Sequence, residues 1–181
     1  MNARYAALLR GINVGGNRKL PMKSLATMFT LAGCVDVETY IQSGNVVFGA
    51  PPAVAKRLPN TITAAIEQQF GFSVPVVIRS QEELATGVER NPFLQRGIDL
   101  ATLHVAFLAD IPDPTCVAAL DATQSPGDSF ILRGRDIYLW LPNGVARTKL
   151  TNNYFDRTLQ TVSTLRNLTT VLKLLEMAQS R

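Results

Sequence analysis

The sequence predicts an α+β protein. Three observations carry that expectation: short apolar runs alternate with longer segments of helical spacing, glycine, proline and asparagine punctuate them, and an order of strand, helix, strand, strand, helix appears twice. Strands joined by hairpins and interleaved with helices in the order βαββαβ make the ferredoxin-like pattern. The expected architecture is two ferredoxin-like βαββα(β) halves with mainly antiparallel sheets, residues 1–92 and residues 93–181, packed together as one compact unit.

Residues 5–10 form a first strand that stops at Gly11, and the loop Gly11-Ile12-Asn13-Val14-Gly15-Gly16-Asn17-Arg18-Lys19 follows. Pro21 takes the first position of a helix, where its missing N–H is harmless; Leu25, Met28, Phe29 and Ala32 recur at helical spacing, and Gly33 stops it. Residues 35–42 and 46–48 are extended runs around Ser43-Gly44-Asn45, where glycine and asparagine tolerate the positive φ of a tight hairpin. A long helix over residues 53–70 carries Ile62, Ala65, Ile66 and Phe70 on one side, ends at Gly71, and leads into a strand over residues 74–79.

After a helix over residues 81–90 and the break Asn91-Pro92, the order is repeated. Residues 103–108 are a strand and residues 113–122 a helix. Phe130-Ile131-Leu132 and Ile137-Tyr138-Leu139-Trp140 flank a hairpin at Gly134-Arg135-Asp136. Residues 148–159 and 168–178 read as helices, the last with an apolar stripe of Leu168, Val171, Leu172 and Leu175. The halves share no residue-level identity, so the repeat is one of pattern. Strands 5–9, 74–78 and 103–108 are apolar at both alternating positions, which predicts sheets covered on both faces and disfavours an open aromatic sheet that stacks RNA bases.

With 46% apolar and 18% charged residues, a chain of 181 residues has the side chains for a core and is not of the disordered class. No stretch approaches the roughly 18 apolar residues of a membrane span, and the apolar start is too short for a signal-peptide core, so a cytoplasmic protein without a membrane partner is expected. The net charge of +4 is concentrated at the two chain ends. Should those ends meet, they would make one local anion site rather than a long phosphate-tracking stripe. Cys34 and Cys116 are isolated thiols, expected to be buried, and His104 is the one histidine; together they make no zinc site. His104 lies within a strand and is expected to be a satisfied structural residue.

The strongest local oddity is residues 10–19. Three glycines in six residues let a ligand approach the backbone, free N–H groups at a following helix start favour anions, and Arg10, Arg18 and Lys19 add charge. Gly11 and Gly16 have the glycine spacing of a P-loop, but Asn17-Arg18 stands where Lys-Ser/Thr is required, which argues against magnesium-assisted nucleotide hydrolysis. The competing reading is a tight turn. A second place is Gln42-Ser43-Gly44-Asn45, whose short polar groups suit either a pocket or the turn itself. A third joins Arg147-Thr148-Lys149 with Arg166-Asn167: Asn167 suits an N-cap, whereas a cation at Arg166 opposes the helix dipole and calls for an anion or a carboxylate partner.

Tyr5-Ala-Ala-Leu-Leu-Arg-Gly-Ile-Asn-Val-Gly-Gly-Asn17 and Thr39-Tyr-Ile-Gln-Ser-Gly-Asn-Val-Val-Phe48 closely resemble a bacterial family known as domain of unknown function 1697. The likeness continues through Val74-Pro-Val-Val-Ile-Arg-Ser80, Asn91-Pro-Phe93, residues 144–150 and residues 164–174. The resemblance implies a compact α+β protein of two similar halves and brings no activity. Two departures stand out: Leu168-Thr169 stands where the family usually has Trp-Asn, and Thr148 where it usually has serine before the lysine. Loss of the indole removes any stacking role at Leu168.

The expected function is small-molecule or nucleotide-like anion binding. Its candidate residues are Arg10, Gly11, Asn13, Gly15, Gly16, Asn17, Lys19, Ser43, Asn45, Lys149, Arg166 and Asn167. If the protein catalyses anything, the role open to Arg10, Lys19 and Arg166 is electrostatic stabilisation of an oxyanion or phosphate. The alternatives are a nucleic-acid-binding module using the basic chain ends and a protein-interaction module without ligand. The residues specify no cofactor and no oligomeric state.

Overall fold

The computed structural model describes residues 2–180. The chain divides into two compact units, the first running to Ala85 and resuming at Lys173, the second Thr86–Leu172. The first contains β1 (Ala3–Leu9), α1 (Met22–Leu31), β2 (Val35–Tyr40), β3 (Asn45–Ala50), α2 (Pro52–Phe70) and β4 (Val76–Ser80). The second contains β5 (Leu103–Leu108), α4 (Pro114–Ala118), β6 (Ser129–Arg133), β7 (Asp136–Trp140), α5 (Asn152–Leu159) and β8 (Ser163–Asn167). Helices α3 (Gln81–Glu89) and α6 (Leu168–Gln179) follow β4 and β8, and the divisions between units fall inside them.

Each unit has one four-stranded sheet, in the orders β2-β3-β1-β4 and β6-β7-β5-β8, with every neighbour antiparallel. This is the ferredoxin-like βαββαβ arrangement, twice, and the α+β class is as the sequence predicts. In the first unit Ala7, Leu9, Val46 and Phe48 pack with Leu25 and Phe29 of α1 and Leu58, Ile62 and Ile66 of α2. Burying a side chain of this size contributes about 1.5–3 kcal/mol, so this layer carries much of the unit's stability. Ala6, Leu8, Val47 and Val77 point the other way and are buried too. In the second unit Ala106, Leu108, Ile137 and Leu139 pack with Phe155 and Leu159, while Val105, Phe107 and Tyr138 on the opposite face are also buried. Both faces of the central strands are thus covered, as the apolar pattern predicts, and these aromatics are not available for base stacking.

Several boundaries differ from the sequence reading, each for a local reason. Strand β8 was not expected, because Ser163-Thr-Leu-Arg-Asn167 is short and mostly polar; it completes the second unit by pairing with β5. Strand β4 starts at Val76 rather than residue 74, since Pro75 cannot donate to a ladder, although its carbonyl accepts the Arg10 N–H at 3.1 Å. Pro21 is the N-cap of α1 rather than its first helical residue, so the helix starts one place later than expected, at Met22. Helix α4 is only five residues long, because Asp121 Oδ1 accepts the Thr123 N–H at 2.7 Å and turns the chain. Helix α5 starts at Asn152, not residue 148, because Thr151 Oγ1 accepts the Tyr154 N–H and Thr148 Oγ1 the Leu150 N–H. The expected positive φ at Asn45 is found instead at Ile41 (50°), alongside Gly44 (80°). Cys34 is buried as expected, with its thiol pushed up to about 11 by desolvation, whereas Cys116 is only partly buried.

Candidate functional site

Residues 10–19 form a projecting miniature hairpin. Val14 and Asn17 pair as an isolated bridge, the Asn17 N–H donates to the Val14 carbonyl and the Asn13 N–H to the Arg18 carbonyl, both at 3.1 Å. Gly15 (φ 59°) and Gly16 (φ 78°) occupy the two central turn positions, where a two-residue hairpin of type I′ requires positive φ. The turn reading of these glycines is therefore correct as geometry. Their backbone faces solvent, as do Gly11, Asn17, Arg18 and Lys19, while Arg10 is half-buried.

Asn13 fixes the hairpin to its surroundings. Its Nδ2 donates to the carbonyls of Leu20 and Gln42, each at 2.9 Å, and its Oδ1 accepts the Leu20 N–H at 2.8 Å. One side chain thereby ties the hairpin both to the approach to α1 and to the tip between β2 and β3. The two are joined again by the Leu9 N–H donating to the Gly44 carbonyl at 2.8 Å, and by a contact so close that a Cβ on Gly44 would lie 2.7 Å from Leu9 Cβ and 3.0 Å from Ile12 Cδ1.

Helix α1 begins just beyond. Its cap, Pro21, offers no side-chain acceptor, and its first turn holds no acidic residue but the exposed Lys23. The first helical bond is donated by the Leu25 N–H to the Pro21 carbonyl, which leaves the preceding N–H groups of the turn outside the ladder and the positive end of the dipole uncompensated. These are donors and cations, so the arrangement can recognise an anion electrostatically. Lys23 and Pro21 were not among the sequence candidates; the signal for them is that no Asp or Glu precedes Asp36 in the chain.

At the β2–β3 tip, Ser43 and Asn45 serve the turn. Asn45 is fully buried at the start of β3, and its Nδ2 donates to the Tyr40 carbonyl (3.2 Å) and to Ser43 Oγ (3.0 Å).

The remaining candidates belong to the second unit. Lys149 is held through its backbone, its N–H donating to Ser125 Oγ at 3.0 Å, and its side chain is exposed. Ser125 Oγ in turn donates to Asp128 Oδ2 at 2.6 Å. Arg166 stands just before a helix start, as expected, and lies on β8, where its Nη1 donates to Thr164 Oγ1 (3.0 Å) and to the Leu165 carbonyl (2.9 Å); desolvation pulls its guanidinium down to about 10. Asn167 is the expected N-cap, its Oδ1 accepting the Thr170 N–H at 2.8 Å. His104 is buried on β5 with its pKa lowered, first by desolvation, and its Nδ1 has no hydrogen-bond partner among the described residues, so it is less satisfied than expected.

A residue-level likeness between the units does emerge. Arg79 on β4 pairs in register with Ala6 of β1, and Arg166 on β8 with Val105 of β5. Each donates Nη1 to the carbonyl of the residue before it. Each also precedes a helix cap: Ser80 Oγ accepts the Glu83 N–H as Asn167 Oδ1 accepts that of Thr170. Two surface depressions lie away from all these residues. One is lined by Met28, Leu31, Ala65 and Gln68, the other by Ile111, Pro112, Val117 and Leu132, and neither has a charged residue in its lining.

A family described as a protein of unknown function (DUF1697) matches residues 1–138. The structure is similar to that of a conserved bacterial protein from Streptococcus pneumoniae, with a TM-score of 0.74, 25% sequence identity, and coverage of 99% of this chain and 100% of that one. Among curated proteins none matches.

Proposed function

The chain belongs to the DUF1697 family, and from that premise we propose that its first unit binds a small oxyanion, phosphate or carboxylate, at the hairpin of residues 10–19 and the start of α1. The observation that carries this reading is the charge of the exposed surface there. Arg18, Lys19 and Lys23 stand around a helix start without a side-chain acceptor, in a stretch where no carboxylate precedes Asp36. Cations at that end of a helix oppose its dipole, and a bound anion answers both. Asn13 holds the hairpin in place, so little ordering remains to be done on binding.

The test is thermal unfolding of the full chain in rising inorganic phosphate at constant ionic strength. A ligand at 100 times its Kd adds about 2.7 kcal/mol of stability. The wild-type midpoint should rise, and the Arg18→Ala/Lys19→Ala double variant, whose altered side chains are exposed, should fold with an unchanged midpoint in buffer and lose the rise. Equal responses in both proteins would reject the reading. An oligonucleotide that binds with steep salt dependence where phosphate does not would replace it with nucleic-acid binding.

A further inference from the structure

We propose that Asn143 is a site of spontaneous modification, where the backbone nitrogen of Gly144 displaces the side-chain amide and leaves aspartate and isoaspartate in the link between β7 and α5. Asn143-Gly144 is the one Asn-Gly pair in the chain. It stands in residues 141–151, which form neither helix nor strand, and residues 142–147 are all exposed. Gly144 lies at φ 82° with open space where a Cβ would stand, and its N–H donates to the Leu141 carbonyl at 3.0 Å. A single exposed turn bond opens readily, and no side chain on residue 144 then obstructs the approach of its nitrogen to Asn143 Cγ. Elsewhere the step is obstructed. Asn91 is buried and precedes a proline, which has no N–H to give up; Asn13 and Asn45 donate through Nδ2 to backbone carbonyls, and Asn167 Oδ1 caps α6.

Once the Gly144 nitrogen has given its proton to water or hydroxide, it forms a bond to Asn143 Cγ; the Cγ–Nδ2 bond breaks, ammonia leaves and a five-membered succinimide closes. Water then opens the ring. Cleavage of the new N–Cγ bond gives aspartate, and cleavage between the nitrogen and the main-chain carbonyl gives isoaspartate, with the chain running through Cγ. Water is the sole co-reactant. The product places a carboxylate in a link whose charged residues are Arg147 and Lys149, next to the turn at Gly127, where a Cβ would lie 3.6 Å from Asn143 Nδ2. Isoaspartate also adds a methylene to the main chain inside the turn that the Gly144 N–H closes.

The experiment ages the full chain in buffer and, separately, in urea, and follows tryptic peptide 136–147, in which Asn143 is the sole side-chain amide, by mass and by chromatographic separation of its two acid forms. The folded chain should convert at a rate within about tenfold of the unfolded one, since opening the turn is the only added step. Asn143→Gln, at an exposed position, should fold as before and keep its amide, because the longer side chain does not close the five-membered ring. Gly144→Ala should slow conversion by about tenfold even in urea, where its backbone strain no longer enters. Tryptic peptide 11–18, which holds Asn13 and the exposed Asn17 before Arg18, should keep its amides over the same period. An amide that persists at 143 in the folded chain after the unfolded chain has converted overturns the proposal, for the turn then protects it. Equal conversion in peptides 136–147 and 11–18 overturns the assignment to the Asn-Gly pair.

Discussion

In the first unit the chain takes twelve residues, 10–21, to pass from β1 into α1, whereas in the second it takes five, 109–113, to pass from β5 into α4. The sheets at both places have the same order and the same antiparallel pairing. Topology therefore does not require the longer link. Their chemistry is also opposed. The short link carries Asp110 and Asp113, and the Asp113 carboxylate caps α4 by accepting the Thr115 hydroxyl at 2.6 Å and its N–H at 2.8 Å, which hold its pKa below the usual range. The long link carries Arg10, Arg18 and Lys19 and ends on a proline with no acceptor. One helix start is capped by its own carboxylate, and the other follows a link that carries cations and has no acidic residue in its first turn.

The comparison can be broken most forcefully at the hairpin glycines. Gly44→Ala, with φ 80° and a Cβ 2.7 Å from Leu9, should destabilise by about 3 kcal/mol, from strain and overpacking together; Gly134→Ala, at φ 61° with open space around it, should lose only about 1 kcal/mol. Urea midpoints of the two variants would measure the difference, and equal losses would deny the tip of the first unit its special packing. Asn13→Ala comes next. It leaves the Leu20 N–H and the Leu20 and Gln42 carbonyls without their partner, so about 2 kcal/mol of stability should go, and phosphate affinity with it as the hairpin loosens.

Pro21→Asp sharpens the contrast by giving α1 the kind of cap that α4 has. Stability without ligand should rise by up to about 1 kcal/mol while phosphate binding weakens, since the new carboxylate occupies the anion's place. Asp113→Ala should lower stability and leave phosphate binding alone, and a parallel change in both properties would refute the opposition of the two links. The smallest effect is expected from His104 of the second unit. Its folded pKa lies below the unfolded value of 6.5, so as pH falls through 6.5 the unfolded chain takes up the proton first. Stability should therefore be full above that pH and decline below it, and less so in His104→Leu, as followed by denaturant titrations at pH 7.5 and 5.5.

Periodicity made most of the fold legible: Leu25, Met28 and Phe29 marked the inner face of α1, and Gly71, with φ 76°, ended α2 where the sequence places the stop. It could not reveal β8, whose residues are chosen for polar tasks. Ser163 binds Asp156 through its N–H (2.7 Å) and hydroxyl (2.6 Å), Arg166 binds Thr164, and Asn167 caps α6. The basic hairpin was visible as glycines and charge, since both are local. Asn13's reach to Leu20 and Gln42 was not, because it depends on which tip the tertiary fold brings alongside. The left-handed turn at Ile41 escaped for another reason: its residue type argues against the conformation it adopts.

The two cysteines fall one to each unit, and that gives the protein a built-in clock. Cys34 in the first unit is buried, with a thiol whose pKa of about 11 leaves roughly one molecule in a thousand as thiolate at pH 8. Alkylation at Cys34 must wait for the first unit to open, whereas the partly accessible Cys116 of the second reacts without that delay. The lag between the two modifications reports how often the first unit breathes, and a ligand seated on its hairpin should lengthen it.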